Sequence, residues 1–158
     1  MMKSWLGVMG LVCMIGCSSD DDADAPPASP YEPLYSVSVS SSADTTKLDG
    51  LWETAVNNGG ANLLARVQFK DGKILFASRC SGDGYETVTV GITVNATWDD
   101  KSITVSDAGG QDSKTSNSST GKPPVLCIAQ LKGPGTSPYA IEDAKLETLG
   151  YTFTKVAD

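Results

Sequence analysis

From Thr87 to Trp98 the chain alternates without a break, with Val88, Val90, Ile92, Val94, Ala96 and Trp98 separated by Thr87, Thr89, Gly91, Thr93, Asn95 and Thr97. Successive side chains of an extended strand point to opposite faces, whereas a helix would scatter this pattern around its axis. The stretch therefore predicts a strand with an apolar face turned inward and a hydroxyl-rich face turned to water. Strands of this kind belong to antiparallel sheets packed on one side.

The neighbouring stretches keep the same period. Leu63, Ala65, Val67 and Phe69 alternate with Leu64, Arg66, Gln68 and Lys70, and after Asp71-Gly72 the pattern resumes with Ile74 and Phe76 before Ser78 and Cys80. An Asp-Gly pair between alternating runs predicts a hairpin, because the tight turn needs the positive φ that Gly tolerates. Asp99-Asp100-Lys101 reads as the next turn, Ile103 and Val105 as the returning strand, Val125–Leu131 as a late strand and Tyr151–Val156 as the last. Asp107–Pro124, rich in Ser, Gly and Lys, reads as a long polar loop. Pro138–Leu149 supports two readings. Ser137-Pro138 suits the start of a helix, while Lys145–Thr148 suits a strand leading into Gly150, and the strand is preferred.

Ahead of this pattern lies a different kind of sequence. Met1–Gly16 has one charged residue, Lys3, followed by an apolar stretch from Trp5 to Ile15, as in a short secretory signal. That stretch falls short of the roughly 20 residues a transmembrane helix needs. Met14-Ile15-Gly16-Cys17 resembles the lipobox of bacterial lipoproteins. The resemblance implies cleavage after Gly16, a diacylglycerol thioether and an acylated amine (palmitate or a similar chain) on Cys17, and attachment to the outer membrane, with periplasmic and surface-facing orientations both open. Residues 17–43 then read as a tether, since Asp20, Asp21, Asp22 and Asp24 repel one another and Pro26, Pro27, Pro30 and Pro33 stiffen the chain. The domain proper is expected over 44–158.

Charge and cysteine count narrow the partners. The chain holds 12 basic and 19 acidic residues, and removal of Lys3 with the signal leaves 11 against 19, a net of −8. Nucleic acid is excluded by this reading, because phosphate recognition needs clustered Lys and Arg. Any membrane attachment should come through the lipid on Cys17 and not through a basic face. With Cys13 lost and Cys17 lipidated, Cys80 and Cys127 remain. In an exported domain they most simply pair, with a metal pair or two free thiols as the alternatives. No His is present, which removes the commonest general base and zinc ligand. Asp99-Asp100 and Glu142-Asp143 are sequence neighbours and do not form a positioned acid/base pair. No catalytic residue, metal ligand or cofactor is assigned.

Gly50-Leu51-Trp52 at the start of the first strand resembles the Gly-x-Trp signature of the lipocalin family, and Thr152–Val156, with Lys155, resembles the last strand that closes such barrels over the Trp. The resemblance implies an all-β, small antiparallel up-and-down barrel of about six to eight strands. Trp52, Trp98, Phe69, Phe76 and Lys155 become candidates for the barrel end or a cavity, with the Lys155 ammonium expected to stay wet. The function expected is a non-enzymatic module that holds a small apolar ligand or an envelope protein. The alternative is a structural or protective surface lipoprotein with a filled barrel.

Overall fold

A computed structural model describes residues 28–58 and 60–158; the signal expected over Met1–Gly16 and the lipid site expected at Cys17 lie outside them. The fold is all-β. Its strands are β1 Gly50–Asn58, β2 Ala61–Lys70, β3 Lys73–Gly82, β4 Tyr85–Trp98, β5 Ser102–Val105, β6 Gly109–Ser116, β7 Val125–Lys132, β8 Gly135–Pro138, β9 Ala140–Glu142, β10 Lys145–Thr148 and β11 Tyr151–Ala157. Nine of them form one antiparallel sheet in the order β8-β5-β4-β3-β2-β1-β11-β10-β9. The two edge strands are separated in sequence only by Tyr139, so one short segment pairs with β5 through its first half and with β10 through its second. This shared segment draws the sheet edges together into a barrel.

Asp71 and Gly72 both have positive φ, as the hairpin reading requires, and place Phe69 opposite Ile74 and Val67 opposite Phe76. The alternating apolar residues of β2, β3 and β4 meet in the core with Trp52, Ile103, Leu146 and Phe153. Eleven strands exceed the six to eight expected, for two physical reasons. The first is the seam segment, counted as β8 and β9. The second is β6, which falls within Asp107–Pro124 and corrects the reading of that stretch as loop.

β6 pairs with β7 along its whole length, from Gly109 opposite Lys132 to Ser116 opposite Val125. Its side chains bury no apolar face. Instead Asp112 accepts a hydrogen bond from the Gly91 amide at 2.9 Å and the Ser116 hydroxyl donates to the Glu86 carbonyl, fastening β6 beside β4. A strand held by backbone pairing and polar side chains leaves no hydrophobic period to read. Between Pro138 and Leu149 the strand reading holds: Asp143 with Ala144, and Leu149 with Gly150, adopt positive φ and make tight turns on either side of β10.

β7 is drawn into the core. Cys127, Ala129 and Leu131 are buried there, and Cys80 and Cys127 form the expected disulfide, with Cα atoms 5.8 Å apart and a sequence separation of 47.

Part of the stretch read as tether is docked on the outside of the barrel. A short 3₁₀ helix, Glu32–Ser36, buries Leu34 against Leu51, Ala77 and Val156. The Arg79 guanidinium lies 4.0 Å from the centre of the Tyr35 ring and pairs with Glu32, while Arg66 donates to the carbonyls of Leu34 and Val37 and pairs with Glu53. Burial raises the Tyr35 hydroxyl far above its ordinary range, an effect that the two arginines oppose. Tyr31 sits on Gly91, where a β-carbon would overlap its ring. Gly91→Ala is accordingly expected to lift this strap at a cost of about 1–3 kcal/mol, as for other overpacked sites. Limited proteolysis between residues 28 and 40 should then become faster, and unchanged cleavage would show that the Tyr31 seat holds nothing in place.

Candidate functional site

One end of the barrel is closed by packing. Trp52 is fully enclosed, and its indole N–H donates to the Leu48 carbonyl at 2.8 Å. Lys155 stands opposite Trp52 in the β1–β11 pair and carries its ammonium 4.7 Å from the centre of the indole. Phe69 is equally enclosed, with Trp98 set edge-on at 5.7 Å and 81°.

The Lys155 ammonium departs from the wet position expected for it, since only 1% of its side chain is exposed. Residues 47–49 cover it, and the carbonyls of Lys47, at 3.1 Å, and Asp49 take the place of water. Asp158 lies 3.5 Å away as a partial counter-charge. Loss of hydration lowers the Lys155 pKa from its ordinary value, and Asp158 works against that shift.

Of the set Val67, Phe69, Phe76, Val90, Ile92 and Val94, all but Ile92 are buried within the core. These residues close on one another. Phe76 alone among the five cavity candidates Trp52, Trp98, Phe69, Phe76 and Lys155 also lines a groove.

This groove of about 580 Å³ lies between the inner face of β1–β3 and the exposed side of β7, and its volume is well within the range of small-molecule sites. Val56, Leu63, Leu126, Ile128, Leu149 and Tyr151 supply much of its apolar lining. Thr54, Ser78, Gln130, Ser137 and Lys132 supply the polar groups. The described residues include six exposed large hydrophobic side chains, and four of these converge here: Leu126 at 58% exposure, Tyr151 at 44%, Val56 at 42% and Ile128 at 38%. Scattered exposed apolar residues need no explanation, but these four face one concavity and form a contiguous apolar patch.

None of these four was singled out from the sequence. The signal lay in Val125–Leu131, where Leu126 and Ile128 alternate with Cys127 and Ala129, so the strand is apolar on both faces. One face packs into the core, and the other needs a different partner.

The disulfide stands behind the groove, because Cys127 turns toward β3 while its neighbours Leu126 and Ile128 turn into the open space. The Cys80–Cys127 link therefore holds one wall of the groove at a set distance from the other. The arrangement suits shape-based capture of an apolar body, with hydroxyl, amide and ammonium groups at hand to orient it. No protein-family model matches the chain, and neither curated proteins nor solved structures give a match.

Proposed function

We propose that this chain is a lipid-anchored lipoprotein of the outer membrane whose lipocalin-like barrel binds a small apolar ligand without transforming it. The observation that carries the reading is the convergence of Val56, Leu126, Ile128 and Tyr151 on one groove. Fully covering a side chain of this size contributes about 1.5–3 kcal/mol. A ligand spanning four partly exposed ones therefore has several kcal/mol with which to offset the entropy of association.

The lipobox-like Met14–Cys17 supports the anchor. Because the chain is docked on the barrel from about Tyr31, only the residues between Cys17 and Tyr31 serve as spacer. Their fully extended reach is about 50 Å at most. Tyr31 would therefore be held within that distance of the bilayer, a source of apolar molecules.

Mass spectrometry of protein extracted from membranes in mild detergent tests both halves of the proposal. Denatured protein is expected to begin at Cys17 with acyl chains attached, and native protein to carry an additional small molecule released on unfolding. Retention of Cys13 in the membrane-bound form would remove the anchor. The packed end around Trp52 and Phe69 is what a purely structural barrel would show throughout. Native protein that carries no such molecule and takes up no apolar dye would favour that second reading.

A further inference from the structure

Resting on the apolar-ligand reading, we infer that the groove takes an amphiphile with a single acyl chain and an anionic head, and that Lys132 receives the head. The sequence of β7 supplies the argument. Its groove-facing positions run Leu126, Ile128, Gln130 and Lys132, so the lining grades along one strand from hydrocarbon to amide to ammonium. At about 3.3 Å per residue this row is about 20 Å long, the scale of an extended acyl chain with its head. The apolar end is thickened by Val56, Leu63 and Tyr151, while Ser137 lies in the lining with a hydroxyl to share.

The charge balance points the same way. The whole chain carries 19 acidic residues against 12 basic ones, yet no Asp or Glu lines the groove, and Lys132 is its only ammonium. Like Lys70, Lys73, Lys101, Lys114, Lys122 and Lys145, Lys132 makes no salt bridge among the described residues, and of these it is the one that lines the groove. A cation without a protein partner, at the end of an apolar trough from which carboxylates are excluded, complements a carboxylate or phosphate head on a hydrocarbon tail. A second copy of this acidic chain would bring net like charge to the same place, which disfavours it as the occupant.

Lauric acid and dodecanol are the probes, titrated by calorimetry into the delipidated full-length mature protein, with folding of each variant checked by its thermal transition. Lauric acid is expected to bind more tightly than dodecanol. Lys132→Met should weaken lauric acid by about tenfold, the order expected for losing one solvent-accessible charge-assisted hydrogen bond, and leave dodecanol unchanged. Ile128→Asp, which places a carboxylate in the half-exposed middle of the groove, should abolish both. Equal binding of the two probes, with no effect of Lys132→Met, would overturn the anionic-head assignment while leaving the apolar-ligand reading intact. Failure of both probes to bind the parent protein would overturn both. So would a dimer at working concentration that Ile128→Asp dissociates without lauric acid having bound, since the groove would then belong to a second copy.

Discussion

Trp52→Ala should lower the free energy of unfolding by about 3–5 kcal/mol, the cost of emptying a large enclosed aromatic site. Urea unfolding should show a midpoint lower by about 1 M or more, given the slopes usual for small domains. The size of the effect follows from the setting of Trp52. It is fully buried, its N–H is satisfied by Leu48, and its face carries the Lys155 ammonium. Removing the indole therefore leaves a cavity, an unpartnered carbonyl and a cation without its ring.

Lys155→Met should cost about 1–3 kcal/mol, because the carbonyls of Lys47 and Asp49 would lose their donor inside a closed site. A double-mutant cycle between the two positions should show coupling. A Trp52→Ala variant that unfolds at the parent's urea concentration would show that the indole does not close the barrel, and the resemblance carried by Gly50-Leu51-Trp52 would lose its central residue.

Replacing Cys80 and Cys127 together by Ala should destabilise the fold by roughly 4 kcal/mol, the value the chain-entropy model assigns to a loop of this size. The link closes 47 positions of sequence and ties β7 to β3. Thermal or urea unfolding of oxidised protein, reduced protein and the double variant measures the loss. Identical transitions for all three would mean that packing of Ala129 and Leu131 alone keeps β7 in place. The proposed ligand capture should weaken along with stability, since β7 is also one wall of the groove.

Three features of the local sequence determined most of the barrel wall. The unbroken alternation of Thr87–Trp98, the Asp71-Gly72 turn and the paired runs around it specified β2, β3 and β4 and the face each one buries. They are legible because side-chain direction in a strand depends only on position parity, and a tight hairpin turn depends only on φ at two residues. Cys80 and Cys127 could be paired by count, given an exported chain.

Other features required the assembled fold. β6 bears no large apolar side chain, and it is a strand because β7 offers its backbone a complete ladder and β4 offers Gly91 and Glu86 as partners to Asp112 and Ser116. Tyr31, Leu34 and Tyr35 sit in a proline-rich acidic stretch that reads as spacer. They dock because Gly91 leaves room for a ring, and because Arg66 and Arg79, distant in sequence, meet beside Tyr35. Lys155 was placed beside Trp52 by its position in the last strand, but its burial depends on residues 47–49 folding back over the barrel end.

The groove is the clearest case. Val56, Leu126, Ile128 and Tyr151 come from three strands, and nothing local distinguishes them from core residues. Local sequence determines whether a side chain is apolar and which face of its strand it takes. Whether that face meets protein or open space depends on what the rest of the chain sets opposite it, and for the outer face of β7 only the tertiary structure decided that.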